Sequence, residues 1–277
     1  MNADTASEKV SSTFKERELE SWNQKARDYG DYVGQITQQA VEPLLDAVEV
    51  EAGNFFLDIA TGPGYTAGAA QARGAIATGV DFSAAMIGEA SRNYPTTLFY
   101  EGNAEHLVFP CDFFDAAVCP FGLLHIADPD KAISEAWRVL KPGGKFAFTV
   151  WSAPGQHAFF NLVFGAISRH GSIDAPFLEA PPFFRFSEPA ENQRALAAAG
   201  FSDITVSELT LHWQPNSGQM LLDTIYKSTV RTAMLLEAQE AQNKEKIHSE
   251  IVAALEKSKD PISLPWSAVI AVAQKPL

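Results

Sequence analysis

The chain has 277 residues and a formal net charge of −13, with 46% apolar and 20% charged residues. That length and apolar content build one large core, or one core with a substantial insertion. So acidic a surface repels phosphate backbones and anionic bilayers, which argues against a nucleic-acid substrate and against membrane-surface docking. Two cysteines, Cys111 and Cys119, are too few for a disulfide framework or a four-cysteine zinc site. No metal site is expected. The polar first 20 residues hold no signal-peptide core, and no run of about 18 apolar residues spans a membrane. The expected location is the cytoplasm.

Residues 1–12 are small and polar and are expected to fray. From Phe14 to Val48 the pattern is helical, with Ile36, Ala40, Val41, Leu44, Leu45 and Val48 on one face. Pro43 predicts a break or restart near Glu42. From Asn54 to Trp151 strands alternate with helices. Strands are predicted near 54–60, 75–80, 96–101, 113–119 and 144–151, and helices near 64–73, 83–92 and 128–140. Ser83 can cap the second of these helices, and Lys141-Pro142-Gly143-Gly144 ends the third. Such alternation builds a doubly wound, mostly parallel sheet with helices on both faces. After Trp151 the rhythm changes. A helix is predicted at 157–169 and another at 187–199, closed by Gly200. Strands follow at 203–213 and 266–274, and residues 216–259 read as a helical insertion between them. The predicted organisation is one overall domain: an N-terminal helical flap (1–50), a cofactor-binding core (51–151), and the remaining core strands with a pocket roof (152–277).

The most informative stretch is Phe55-Phe56-Leu57-Asp58-Ile59-Ala60-Thr61-Gly62-Pro63-Gly64. A buried strand ends beside an aspartate and runs into a loop whose glycines let a ligand approach the backbone. A second acid, Asp81, follows the next strand. Gly62-x-Gly64-x-x-Ala67 with Asp81 matches the dinucleotide fingerprint G-x-G-x-x-G/A, a weak signal alone. Three features tilt the reading away from NAD. Asp58 offers a carboxylate where a pyrophosphate would repel it. Gly102-Asn103-Ala104-Glu105 places an amide and an acid where an adenine amino group can bond. The run Phe114 to Cys119 leads to His125 and then to the Lys-Pro-Gly-Gly turn.

In this order, Leu57-Asp58-x-x-x-Gly62-x-Gly64, Gly79-x-Asp81-x-Ser83-x-x-Met86, Gly102-Asn103-Ala104-Glu105, Phe114-Asp115 and Leu140-Lys141-Pro142-Gly143-Gly144 resemble the class I S-adenosylmethionine-dependent methyltransferases. The similarity is closest to the small-molecule branch that includes the ubiquinone and menaquinone biosynthesis C-methyltransferases, and it is strong over 54–151. It implies a seven-stranded sheet with an antiparallel final hairpin, and S-adenosylmethionine as cofactor. It further implies that Asp58, Gly62 and Gly64 hold the methionine end and Asp81 the ribose hydroxyls. Phe82 and Met86 would pack on the adenine. Asn103, Ala104 and Glu105 would meet its edge, and Cys119 and Phe121 would lie beside the sulfonium. Tyr29 would bond the methionine carboxylate from an N-terminal flap. Ala60 stands where the family has a glycine, Thr61 where it often has cysteine, and Asn103 where aspartate is more frequent. A sulfonium cation suits an acidic, aromatic site.

On the acceptor side His125 is the candidate general base, since its ordinary pKa is near neutrality. A structural histidine is the competing reading, and His157 and His212 are weaker candidates. Trp22, Tyr32, Phe184, Arg185, Trp213 and Met220 are the candidate substrate-binding residues. Most of the aromatics in the second half, Phe159, Phe160, Phe164 and Phe177 among them, read as ordinary core. The expected reaction is in-line methyl transfer to a small, partly aromatic or apolar molecule, first to oxygen, second to a quinone-type ring carbon, third to nitrogen. An NAD-dependent oxidoreductase and a non-catalytic cofactor-binding protein are the rivals. RNA methylation lacks its Asn/Asp-Pro-Pro-aromatic motif, because that position reads Cys119-Pro120-Phe121-Gly122. The oligomeric state stays open between monomer and homodimer.

Overall fold

The computed structural model describes residues 3–173, 180–256 and 264–277, with residues 3–13 as helix backbone alone. The expectation for Phe177 lies outside the described residues. Helix α1 spans Ala3–Tyr29, so the expected fraying gives way to helix in a stretch rich in Ala, Glu and Lys. Gly30-Asp31-Tyr32 breaks the chain before α2 (Val33–Thr37), and a 3-10 turn at Gln38–Ala40 leads into α3 (Val41–Ala47). The restart falls before Glu42. Pro43 sits in the first turn of α3, where a missing N–H costs nothing.

Strands β1 (Phe55–Ile59), β2 (Ile76–Asp81), β3 (Leu98–Glu101), β4 (Phe114–Pro120) and β5 (Leu140–Trp151) are parallel, joined through α4 (Tyr65–Ala72), α5 (Ala84–Asn93) and α6 (Pro129–Val139). After α7 (Ala158–His170) and α8 (Pro189–Ala199), β6 (Ser202–Trp213) and β7 (Leu264–Gln274) close the sheet in the order β3-β2-β1-β4-β5-β7-β6. Strand β7 is antiparallel to both neighbours. This is the expected seven-stranded architecture. Between β6 and β7 the chain forms α9 (Gly218–Ser228), α10 (Arg231–Glu237) and α11 (Ala241–Glu256).

Phe56, Leu57, Ile59 and their β4 neighbours Ala116, Ala117 and Val118 are all buried, because helices cover both faces of a parallel sheet. The strand order runs outward from β1 to β3 in one direction and from β4 to β5 in the other. Right-handed crossovers therefore put α4 and α6 on opposite faces, and a crevice opens between the carboxyl ends of β1 and β4. The Lys141–Gly144 turn is a kink within β5, with Gly143 at φ 82°. Two capping side chains matter for the site. Ser83 Oγ accepts from Met86 N (3.1 Å) and donates to Asn23 Oδ1 (2.8 Å), which ties α1 to the start of α5. The Lys25 ammonium donates to the Tyr226 carbonyl and fastens α1 to α9. No helix among the described residues is long and apolar enough to cross a membrane.

Candidate active site

The crevice is a cavity with about 1360 Å³ of atom-free space, part of it open to solvent. Its floor comes from the loops after β1, β2, β3 and β4. Its roof comes from α1, α2 and the segment 228–232 between α9 and α10.

The loop after β1 is held in an unusual shape. Ala60 (φ 56°), Gly62 (φ 52°) and Gly64 (φ 85°) all lie in the left-handed region. For Ala60 that conformation costs about 1 kcal/mol. A Cβ on Gly64 would strike the Phe99 ring at 2.8 Å, whereas a Cβ on Gly62 would meet nothing within 4 Å and would project into open space. The bare backbone at Gly62 is thus a cradle that a ligand can enter. Behind it lies Asp58, fully buried. Its Oδ2 accepts from Thr61 Oγ1 (2.7 Å) and Ala67 N (3.0 Å), while Oδ1 has no partner among the described residues. Burial raises its pKa from 3.8 to about 7, and those hydrogen bonds only partly offset the rise. Asp81, on the cavity wall, accepts from Gly62 N and Ser83 N (both 2.9 Å). Burial raises its pKa to about 6. Two buried carboxylates that resist ionisation call for a ligand bringing positive charge and hydrogen-bond donors.

A chain of three ionisable groups from three elements meets at the site. Glu18 on α1 is 2% exposed and bonds His125 Nδ1 at 2.8 Å and Arg231 Nε at 3.3 Å. His125 sits in the turn after β4, with its ring edge-on to Trp22 at 4.9 Å and near Phe183 at 6.3 Å. The Glu18 carboxylate on Nδ1 fixes the orientation of the imidazole ring. This pairing of a base with an orienting carboxylate is the geometry of general-base catalysis.

Of the residues expected at the cofactor, the cavity wall carries Tyr29, Ala60, Gly62, Asp81, Phe82, Met86, Asn103, Ala104, Glu105 and Phe121; of those expected at the acceptor, it carries Trp22 and His125. Tyr29 bonds Thr37 Oγ1 at 3.1 Å, and burial pushes its hydroxyl pKa up to about 12. Phe121 (φ 52°) stacks on Trp151 with centroids 4.1 Å apart. Asn103 Oδ1 accepts from Glu105 N at 3.1 Å, and its Nδ2 donates to Glu105 Oε2 at 3.4 Å.

Eight expected residues stand off the wall. Asp58 and Gly64 form the layer behind the loop. Cys119 lies beneath Gly122, where an added Cβ would come within 2.7 Å of its sulfur, and burial keeps its thiol protonated. Tyr32 faces outward and accepts from Lys227 Nζ at 2.8 Å. Arg185 is taken up by Asp130 (2.6 and 2.8 Å) and Glu191 (2.7 Å), which fasten it to α6 and α8. Phe184 packs on Phe160 and Phe164, and Trp213 packs behind Trp266. Met220 packs against the core from the first turn of α9. Of the two weaker histidines, His157 is buried with neither ring nitrogen partnered among the described residues, and burial pulls its pKa down to about 4. His212 exchanges backbone bonds with the Gln39 side chain.

Residues the sequence reading missed include Lys15, Glu18, Thr37, Trp151, Trp266 and the whole segment Ser228–Thr232. For α1 a signal existed: Lys15, Glu18, Trp22 and Tyr29 follow the three- and four-residue spacing of one helix face. Arg231 has no such signature.

Fold and site together define a doubly wound α/β enzyme that holds a nucleoside cofactor at its switch point. Comparison narrows this. The methyltransferase domain family matches residues 57–148. A demethylmenaquinone methyltransferase of Paenarthrobacter aurescens is 31% identical over 177 residues, which is 60% of this chain and 70% of that protein. A ubiquinone/menaquinone biosynthesis C-methyltransferase UbiE of Bradyrhizobium is 33% identical over 129 residues, covering 43% of this chain and 48% of that one. The YcgJ protein of Bacillus subtilis shares the fold, with a TM-score of 0.59 at 22% identity over 86% of this chain and 99% of that one. The chain belongs to the class I S-adenosylmethionine-dependent methyltransferases, and S-adenosylmethionine is its cofactor.

Proposed function

We propose that the protein methylates a ring carbon of a small hydroxylated, quinone-type aromatic, with His125 taking the hydroxyl proton. The observation that carries this reading is the buried Glu18 carboxylate on His125 Nδ1, which orients an imidazole on the wall of a cavity that Trp22, Phe160 and Phe183 also line. The relatives speak for carbon, since one is by name a C-methyltransferase of quinone biosynthesis. Oxygen, the acceptor atom first expected from the sequence, has no such support.

The residues present suit the cofactor. Asp58, through its unpartnered Oδ1 and its field one layer behind the loop, favours the amino group of the methionine end. Gly62 leaves the backbone open for that end, and Tyr29 and Thr37 border it. Asp81 retains lone pairs for ribose hydroxyls, while Phe82 and Met86 with Asn103 and Glu105 flank the adenine position. Bound S-adenosylmethionine supplies a methyl group already activated by its sulfonium, so alignment is the protein's main task. Such positioning is worth about 7–11 kcal/mol. Trp22, Phe183 and Phe160 give the acceptor ring an apolar slot. As His125 removes the hydroxyl proton, electron density rises on the neighbouring ring carbon. That carbon would take the methyl group that bound S-adenosylmethionine supplies, the electron pair of the former carbon–sulfur bond staying with the sulfur. The ring then loses its displaced hydrogen to water as a proton.

The test is incubation with labelled S-adenosylmethionine and 1,4-dihydroxynaphthalene, with the product identified by NMR. A ring-bound methyl is expected, and an aryl methyl ether as sole product would overturn the carbon assignment. H125N is expected to lower kcat by about 10²–10⁴-fold, with S-adenosylhomocysteine affinity held within threefold. Unchanged turnover would remove His125 from the base role.

A further inference from the structure

Arg231 is 8% exposed, lines the cavity, and is only partly satisfied. Its Nε donates to Glu18, its Nη1 donates to the Pro181 carbonyl at 2.7 Å, and its faces lie over Phe14 and Phe183 at 4.7 and 5.4 Å. Nη2 is buried and has no acceptor among the described residues. A guanidinium carries five N–H donors in a planar fork that matches an oxyanion with two oxygens. Leaving one end of that fork dry and unpaired is costly, so its position marks a place where an acceptor of hydrogen bonds belongs.

Glu18 bonds both His125 and Arg231, which places the guanidinium beside the candidate base. The cofactor's own carboxylate is the competing anion, but Arg231 is tied through Glu18 to His125 at the end of β4 and contacts Phe183, on the acceptor's side. Around Gly62 the wall is instead built by Tyr29, Thr37 and Tyr65.

We infer that Arg231 forms an anion subsite for the acceptor, and that the hydroxylated ring this enzyme methylates bears a carboxylate. The inference rests on the methyltransferase reading above and narrows its acceptor class. The test uses calorimetry on the full chain saturated with S-adenosylhomocysteine. The probes are 2-naphthol, 3-hydroxy-2-naphthoate and 6-hydroxy-2-naphthoate. At least one naphthoate is expected to bind tenfold or more tightly than 2-naphthol. R231Q is expected to collapse that ratio to within twofold, and R231K, which keeps the charge but loses the fork, to reduce it several-fold. If neither naphthoate outbinds 2-naphthol in the wild type, the subsite is overturned, whether or not R231Q folds. It is also overturned if both variants keep the wild-type ratio. Loss of S-adenosylhomocysteine affinity in R231Q and R231K with an unchanged ratio would assign the anion to the cofactor and refute the proposal. Failure of the wild type to bind S-adenosylhomocysteine at all would instead strike the methyltransferase reading.

Discussion

Replacing Asp58 with Asn tests the central electrostatic feature of the site. In the cofactor-free protein, burial lifts the Asp58 pKa from its ordinary 3.8 to about 7. Unfolded, the carboxyl ionises near 3.8; folded, it holds its proton to about 7. Its contribution to stability is therefore full below about pH 4 and is lost as pH rises to about 7. At about 1.4 kcal/mol per pH unit, the loss approaches 4 kcal/mol by pH 8 and is under half of that at pH 5. D58N has no such titration. Its amide oxygen can still accept from Thr61 and Ala67, and its buried NH₂ adds a cost of about 1–3 kcal/mol that does not change with pH. The stability difference between D58N and wild type should thus move in favour of D58N by about 2–3 kcal/mol between pH 5 and pH 8. Urea denaturation followed by tryptophan fluorescence at the two pH values measures it. A difference that is the same at both pH values within 0.5 kcal/mol would refute the assignment of Asp58 as a strained buried acid.

Three further outcomes are expected. Cofactor binding should favour ionised Asp58 and Asp81, whose pKa values stand at about 7 and about 6; S-adenosylhomocysteine affinity then rises from pH 5.5 to 7.5, with proton release measurable by calorimetry in buffers of different ionisation enthalpy. A60G removes a side chain from φ 56° and should stabilise the protein by about 0.5–1 kcal/mol in urea melts; destabilisation would mean the Ala60 methyl earns more from packing than its strain costs. G79A places a Cβ 2.6 Å from the Phe99 ring and 2.7 Å from Thr61 Oγ1. Because Thr61 also holds Asp58, this variant should lose about 1–3 kcal/mol of stability and weaken S-adenosylhomocysteine binding together; wild-type values for both would contradict the packing described.

Local periodicity and spacing carried much of the architecture. The alternation of apolar runs and helical segments from 54 to 151 specified the parallel sheet, because each strand needs two covered faces and each helix one. The glycines of the β1 loop and the acids at 58 and 81 marked the cofactor end, because turn chemistry and strand ends are local properties of the chain. The expected aromatic and basic residues of the second half fared differently. Arg185, Phe184 and Trp213 have the right chemistry for an acceptor site, yet packing and nearby carboxylates use them elsewhere. The cluster around His125 joins Glu18 to His125 across 107 positions and to Arg231 across 213. No spacing rule reaches that far. Those three side chains meet only because α1 folds back over the sheet and the α9–α10 junction closes beside it. The glycine loop and its acids were thus readable along the chain, whereas the Glu18–His125–Arg231 cluster came from the way distant helices pack.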